Sequence, residues 1–488
     1  MADDAQTLIS LAERALAEGS EEQAEPRLAA WLRNHGEDAT LLHWSALLQR
    51  ALDRREEAIA SMEAALRLAP GNPGLTHALA HVTLEAGLPA STLFERAIAL
   101  APSKAEIRLG LASARFAEGE GERGLAEIDA MLAANPGWME GHRQFAQTAT
   151  LLGHGNRAMA SIERALQRFP HGDALRKLGI DLLLEGERHA EALEAIDTAI
   201  ALRGALAPYQ MARAAALDEL GRSDEARPLH DALGAPAEAG HAVWRARHWL
   251  RTGDYRAAAI EVEPWLKPTG AESVWPYAAL AWRLTGDERS EWLDGRAGLV
   301  KVIDLPAESI GLEPLRALLR RLHKGSGRFL DQSVRNGTQT EGALLARVEP
   351  EIARMREVLR STVAEFRGQL PPVDPGHPML SQRRTGRVRF SGSWSVRLGG
   401  RGFHAAHHHP QGWISSALYL SVPGGLEVGE GQLDLGGAPE GMGIKLSPRQ
   451  TVEPREGRLV LFPSWMWHGT RPFREGERMT IAFDIARI

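Results

Sequence analysis

AIASMEAALRLAP, residues 58–70, sets Ala58, Met62 and Ala65 at intervals of four and three and closes on Pro70. Positions i, i+4 and i+7 share one face of a helix, a small residue there lets a neighbouring helix approach, and proline ends the helix. Upstream the same register reads Ala24, Leu28, Trp31 and Gly36. Downstream it reads Ala90/Phe94/Ala97/Pro102, Gly124/Ile128/Met131/Pro136, Ala158/Ile162/Ala165/Pro170 and Ala192/Ile196/Ala199/Gly204. The stops are 34, 32, 34, 34 and 34 residues apart. This periodicity predicts one helical hairpin per repeat, stacked into a solenoid. The match loosens after Gly204, and Trp265, Trp275 and Trp282 mark atypical capping helices that join the next region.

The remaining composition narrows the function classes. Of 488 residues 44% are hydrophobic and 25% charged, so the chain is globular and long enough for two to four domains. A net charge of −6 leaves no electrostatic footprint for nucleic acid or an anionic membrane. With no cysteine, disulfides, thiolate metal sites and cysteine nucleophiles are excluded, and a metal must sit on His, Asp or Glu. No apolar run approaches the ~20 residues that span a bilayer. Met1 to Gly19 carries early acids and helical periodicity in place of a basic region and an apolar signal core, so the expected compartment is the cytoplasm. Oligomeric state is not legible.

From Leu312 to Leu370 the pattern stays helical, with Leu315, Leu318, Leu319 and Leu322 on one face and Ile352, Met355, Leu359 and Val363 on another. Between them Arg335-Asn336-Gly337-Thr338-Gln339-Thr340 has turn chemistry and is expected to be a loop. The run Pro371 to Pro378 breaks the helical pattern and places a boundary near Pro372. Five strands are expected beyond it: Arg387–Leu398, Trp413–Val422, Gln432–Leu435, Arg458–Phe462 continuing to His468, and Arg478–Ile485. Short strands at this spacing predict an antiparallel, two-sheet jelly roll.

Four histidines fall within six residues of that region, His404, His407, His408 and His409, and His468 follows 61 residues after His407. Residues i and i+2 of an extended segment point to one side, so His407 and His409 can converge while His408 points away. Arg478 and Thr480 likewise share one strand face. These segments resemble the iron(II)- and 2-oxoglutarate-dependent oxygenases of the bacterial type in which tetratricopeptide repeats precede the oxygenase domain. The resemblance rests on Gly392 to Leu398, on Gly402 through Ser416 to Tyr419, and on Gly457 to Gly469.

The resemblance implies a multidomain α + β chain: a repeat solenoid over residues 1–292, a helical bridge over 293–372, and a double-stranded β-helix oxygenase core over 373–488. It implies Fe(II) as metal, 2-oxoglutarate as co-substrate and O2 as oxidant, with no catalytic residue beyond the metal ligands. The broad family motif is His-X-Asp/Glu with a distal histidine. His407 matches its first position and His468 its last, but His409 stands at the carboxylate position. Three alternatives follow: an all-histidine site of His407, His409 and His468, a carboxylate recruited from Asp434 or Glu430, or His404 serving instead. Arg478, with Thr480, matches the position that binds the distal carboxylate of 2-oxoglutarate, and Tyr419 is a candidate hydroxyl donor to it. Trp394, Trp413, Trp465 and Trp467 are expected to pack the barrel. The architecture implies hydroxylation of a protein or peptide side chain recruited in the repeat groove. The alternatives are an inactive or 2-oxoglutarate-independent jelly roll acting as a scaffold.

Overall fold

The register of small residues becomes the buried face of the second helix in each hairpin. These helices run Glu21–His35, Arg55–Leu68, Ser91–Leu100, Gly121–Ala134, Ala160–Arg168 and His189–Arg203, and the alanine or glycine of each motif lies on or just before its helix. Ala24, Leu28, Ala58, Met62, Ala65, Phe94, Ala97, Ile162, Ala165, Ile196 and Ala199 are all buried. The computed structural model describes residues 4–325, 327, 333–382 and 384–487. First helices start where a short polar side chain takes up free N–H groups: Asp4 accepts from Thr7 N, Asp38 from Leu41 N, and Asn72 from Gly74 N and Leu75 N ahead of Pro73. Past Gly204 the hairpins persist as Ala207–Glu219 with Ser223–Leu233 and Ala239–Arg251 with Tyr255–Val262, followed by Trp275–Thr285. Among the described residues no helix is long and apolar enough to cross a membrane.

The chain divides into two compact units. One comprises residues 4–135 with Glu341–Arg356, the other the described residues of 136–340 and 357–487. In the first, the segment around Val348 is held by Val348 N donating to Ala86 O at 3.1 Å. Gly110 lets the helix Ala105–Glu118 close on Phe94, and a Cβ there would lie 2.2 Å from the ring.

In the second unit, among the described residues, nine strands form two antiparallel sheets. They are β1 (Lys301–Asp304), β2 (Val334–Gln339), β3 (Phe390–His404), β4 (Ile414–Ser421), β5 (Leu433–Leu435), β6 (Gln450–Val452), β7 (Arg458–Pro463), β8 (His468–Thr470) and β9 (Arg478–Ile485). The larger sheet has the order β1-β7-β4-β9-β3-β2 and the smaller β6-β5-β8, the two-sheet arrangement of a jelly roll. Two sequence expectations are corrected here. The polar segment at 335–340 is not a loop: it is edge strand β2, paired with β3, and Asn336 at positive φ forms the bulge that shifts register between Arg335 and Gly337. The run from Arg458 is not continuous to His468: it breaks after Pro463 and re-enters the smaller sheet as β8, because the chain crosses between sheets at Ser464–Trp467.

The last repeat helices and the strands share one hydrophobic core. Trp249, Trp275, Tyr277 and Trp282 lie in it together with Leu433, Leu435, Phe462, Trp465 and Trp467. Trp467 Nε1 donates to Pro276 O at 3.0 Å, and Arg283 reaches across to Gly436 O and Ser447 O. At the foot of this core His377 is fully buried: its Nδ1 accepts from Met379 N and Leu380 N while Nε2–H donates to Leu293 O.

The packing at Gly110 and at His377 can each be tested by substitution. Overpacking costs about 1–3 kcal/mol against the ~1 kcal/mol by which alanine exceeds glycine inside a helix. Gly110→Ala should therefore lower the unfolding midpoint of the helical signal, and a raised midpoint would mean that the Phe94 ring yields freely. Burial lowers the His377 pKa from 6.5 to about 4, so only the neutral imidazole fits. Its contribution is complete above about pH 6.5 and is lost as pH falls towards 4, on the order of 3 kcal/mol in all. Wild-type stability should fall more steeply across that window than stability of His377→Gln, and parallel curves would contradict this.

Candidate metal centre

The chain leaves β3 at His404 and runs extended across the end of β8. His407 N donates to His468 O and His468 N to His407 O, both at 2.9 Å, and His409 N donates to Ser464 O at 2.8 Å. This pins residues far apart in sequence side by side. The alternation of an extended segment then turns His407 and His409 to one side, where they meet His468. One ring nitrogen from each lies within 4.8 Å of the other two, and ring centroids are 4.1 Å (His407–His468), 4.9 Å (His409–His468) and 5.0 Å (His407–His409) apart.

Each ring is oriented by its Nδ1. That of His407 donates to Ala405 O at 2.9 Å, that of His468 to Met466 O at 3.0 Å, and that of His409 to Asp484 Oδ1 at 2.8 Å. The tautomers inferred from these bonds leave the three Nε2 atoms as acceptors, that of His407 lying 3.3 Å from Ser333 Oγ. Desolvation, then the neighbouring imidazoles, holds His407 and His468 well below the ordinary histidine range, so both rings stay in the neutral form that ligates a metal. The three imidazoles form a donor set that could hold a first-row metal ion, with their outer hydrogen bonds already in place.

The other candidates are placed elsewhere. His408 faces away, edge-on to Trp467 at 4.8 Å and to Tyr277 of the last repeat helix at 6.1 Å. His404 stacks on His407 at 5.9 Å, and Ser333 Oγ bridges its Nδ1 (3.1 Å) and His407 Nε2 (3.3 Å). Its ring is thus adjacent to the converging nitrogens and not among them. In β5, Leu433 and Leu435 turn into the core, so Asp434 points outward to an ion pair with Arg471 at 2.8 Å. Glu430 pairs with Arg474 at 3.1 Å.

Strand β9 brings the remaining predicted residues in from the side. Arg478 and Thr480 are buried, and Thr480 lies opposite Tyr419 of β4. The Arg478 guanidinium stands 5.0 Å from the Tyr419 ring and donates Nη1–H to Gly431 O at 3.1 Å. Arg478 Nε and the Tyr419 hydroxyl, both buried, have no hydrogen-bond partner. A buried polar atom with an unmade bond is costly unless water or a ligand completes it. Trp394 is only half-buried and lies 5.4 Å from the His409 ring, so it walls the centre as well as packing the barrel.

Asp484, Ser415 and Ser464 carry no motif of their own in the sequence. Ser415 Oγ donates to Asp484 Oδ1 at 2.5 Å and is 3.0 Å from Ser464 Oγ. The available signal was β9 itself: Arg478, Thr480 and Asp484 stand at i, i+2 and i+6 and share one strand face.

A second convergent group, Asp218, His230 and His248, is buried among the helices Ala207–Glu219, Ser223–Leu233 and Ala239–Arg251. Asp218 accepts from His230 Nε2 and His248 Nδ1 at 2.9 Å each and from Ser223 at 2.7 Å. Burial raises its carboxyl, yet these bonds together hold it below the usual range. The outward nitrogens of both imidazoles lack partners. Here both imidazoles spend an N–H on one carboxylate at the centre of the group, which makes a helix-bracing network. Cobalt(II) added to metal-stripped protein should accordingly bind once per chain. Binding should be lost in His407→Ala and His468→Ala and kept in Asp218→Asn; loss in the last variant would reassign the site.

Residues 392–484 match the family model described as "Putative 2OG-Fe(II) oxygenase", and residues 39–72 match the model for a tetratricopeptide repeat. No curated protein matches the chain. Among solved structures, a tetratricopeptide repeat protein from Parabacteroides merdae is 19% identical with a TM-score of 0.31, covering 58% of this chain and 97% of its own. MamA from Desulfovibrio magneticus is 19% identical with a TM-score of 0.30, covering 36% and 99%. YrrB, titled a TPR protein with an unusual peptide-binding site, is 21% identical with a TM-score of 0.29, covering 35% and 90%. The chain thus joins a tetratricopeptide-repeat region to a C-terminal region that matches the putative 2OG-Fe(II) oxygenase model.

Proposed function

We propose that the protein is an Fe(II)- and 2-oxoglutarate-dependent dioxygenase that hydroxylates a side chain of a protein or peptide substrate held by its repeat region. The observation that supports this reading is the convergence of one ring nitrogen from each of His407, His409 and His468 beside a buried Arg478 Nε and Tyr419 hydroxyl that have no hydrogen-bond partner. His407, His409 and His468 would hold the metal. Arg478 would grip the distal carboxylate of 2-oxoglutarate through a two-pronged, charge-assisted bond, which burial strengthens. Burial keeps the Tyr419 phenol protonated, so it donates to the same carboxylate, with Thr480 beside it. When bound, iron and co-substrate together supply the oxygen activation, with 2-oxoglutarate converted to succinate and carbon dioxide. The chain's own work is positioning and exclusion of water: Phe462, 4.7 Å from the His468 ring, and Trp394 close the centre on its apolar sides.

The protein or peptide substrate is inferred from the repeat architecture, which normally binds extended partners. A cleft of 410 Å³ among the repeat helices of the second unit is lined by Met159, Leu182, Asn156 and the paired Arg188 and Glu191, a mixed apolar and polar surface that a peptide could occupy.

The test is anaerobic. Fe(II) and 2-oxoglutarate added to metal-stripped protein should give the visible charge-transfer band of the chelate, and admitting oxygen should yield succinate. Arg478→Ala should still bind iron but lose the band. Iron binding without band or succinate in the wild type would overturn the proposal in favour of a 2-oxoglutarate-independent or scaffold protein.

A further inference from the structure

Resting on that reading of the metal centre, we propose that Asp484 is its positioning residue: its carboxylate fixes the His409 tautomer and supplies, from just outside the ligand set, the negative charge that three imidazoles lack. The three rings differ in what orients them. His407 and His468 donate Nδ1–H to backbone carbonyls, of Ala405 and Met466, whereas His409 Nδ1 lies 2.8 Å from a carboxylate oxygen of Asp484 and 3.0 Å from Ser415 Oγ. A carboxylate partner makes the opposite nitrogen of an imidazole a stronger donor to metal than a carbonyl partner does. His409 is also the ligand in the position where the broad motif has Asp or Glu.

Charge points the same way. Three neutral imidazoles leave a bound dication's charge undiminished in a largely desolvated pocket, which is unfavourable at low dielectric. Asp484 is buried, its contacts are His409 Nδ1 and Ser415 Oγ, and among the described residues no lysine or arginine pairs with it. Its charge is therefore compensated through His409 and whatever His409 holds. The support is built in: Ser415 lies opposite Asp484 in the β4–β9 register, and Ser464, hydrogen-bonded to Ser415, also carries the carbonyl that accepts His409 N. A Cβ on Gly412 would meet Ser464 Oγ at 2.5 Å and Asp484 Cβ at 3.2 Å, so the strand end is packed around this network.

The experiment uses the full-length, metal-stripped chain labelled with ¹⁵N-histidine and titrated with cobalt(II) alone. In wild type the His409 signal should show a proton on Nδ1 before metal is added. Asp484→Asn, nearly isosteric, and Asp484→Ala should bind cobalt(II) about 10–100-fold more weakly. Because Ser415 Oγ lies 3.0 Å from the same nitrogen, His409 should lose its single tautomer when Asp484→Ala is combined with Ser415→Ala, while His407 and His468, held by carbonyls, keep theirs. Unchanged cobalt affinity in both variants would overturn the proposal and leave the metal centre standing, as would a wild-type His409 protonated on Nε2. A wild type that binds no cobalt would remove the metal centre and the proposal with it.

Discussion

Two hydrogen bonds, exchanged between the backbones of His407 and His468, hold together what the chain separates by 61 residues. One partner follows the end of β3 in the larger sheet, the other begins β8 in the smaller one, so the bonds sit where the two sheets are stitched. Side-chain direction follows from them. Once the segment 407–409 is extended and fixed at His407 and at His409, alternation leaves His407 and His409 no freedom to face apart. The same alternation sends His408 into the last repeat helix, so a single backbone geometry both assembles the centre and seals its rear.

The strands add chemistry to that frame in register. β4 and β9 are paired so that Ser415 meets Asp484 at one end and Tyr419 meets Thr480 nearer the other. The first pair braces an imidazole, and the second flanks the Arg478 guanidinium, whose Nε has no partner. Because side chains repeat every two residues, one slip of register would turn all of these outward together. The alternating apolar residues Met479, Ile481, Phe483 and Ile485, all buried on the opposite face, prevent it.

How much of this was legible depended on whether a feature was periodic or long-range. The repeats were readable because Ala58, Met62, Ala65 and their counterparts recur at a fixed interval, and small residues at helical spacing are what close approach of two helices demands. That His407 and His409 turn to one side was readable from alternation, whereas His468 was joined to them through the resemblance to the family's metal motif. Strand β2 was not: Arg335-Asn336-Gly337 carries real turn chemistry, which the structure uses for a bulge inside a strand. Strand β1 is four residues long and becomes a strand only through pairing with β7. The fate of Asp434 was hidden for a similar reason, since which face of β5 it takes is decided by Leu433 and Leu435 entering the core. Asp484 is one acidic residue among many until its neighbour across the sheet is known.

The shared core of the second unit changes what a module means in this chain. Trp465 and Trp467 find their apolar surroundings in Trp275, Tyr277 and Trp282, and two strands of the larger sheet, β1 and β2, precede the proline-rich break at Pro371. A recombination event that cut at that break would carry away the histidines but leave behind an edge of their sheet and the helical wall over their tryptophans. Inheritance of the histidine-bearing half is therefore tied to inheritance of the terminal repeats, and drift in one constrains drift in the other through the packing of a few indole rings.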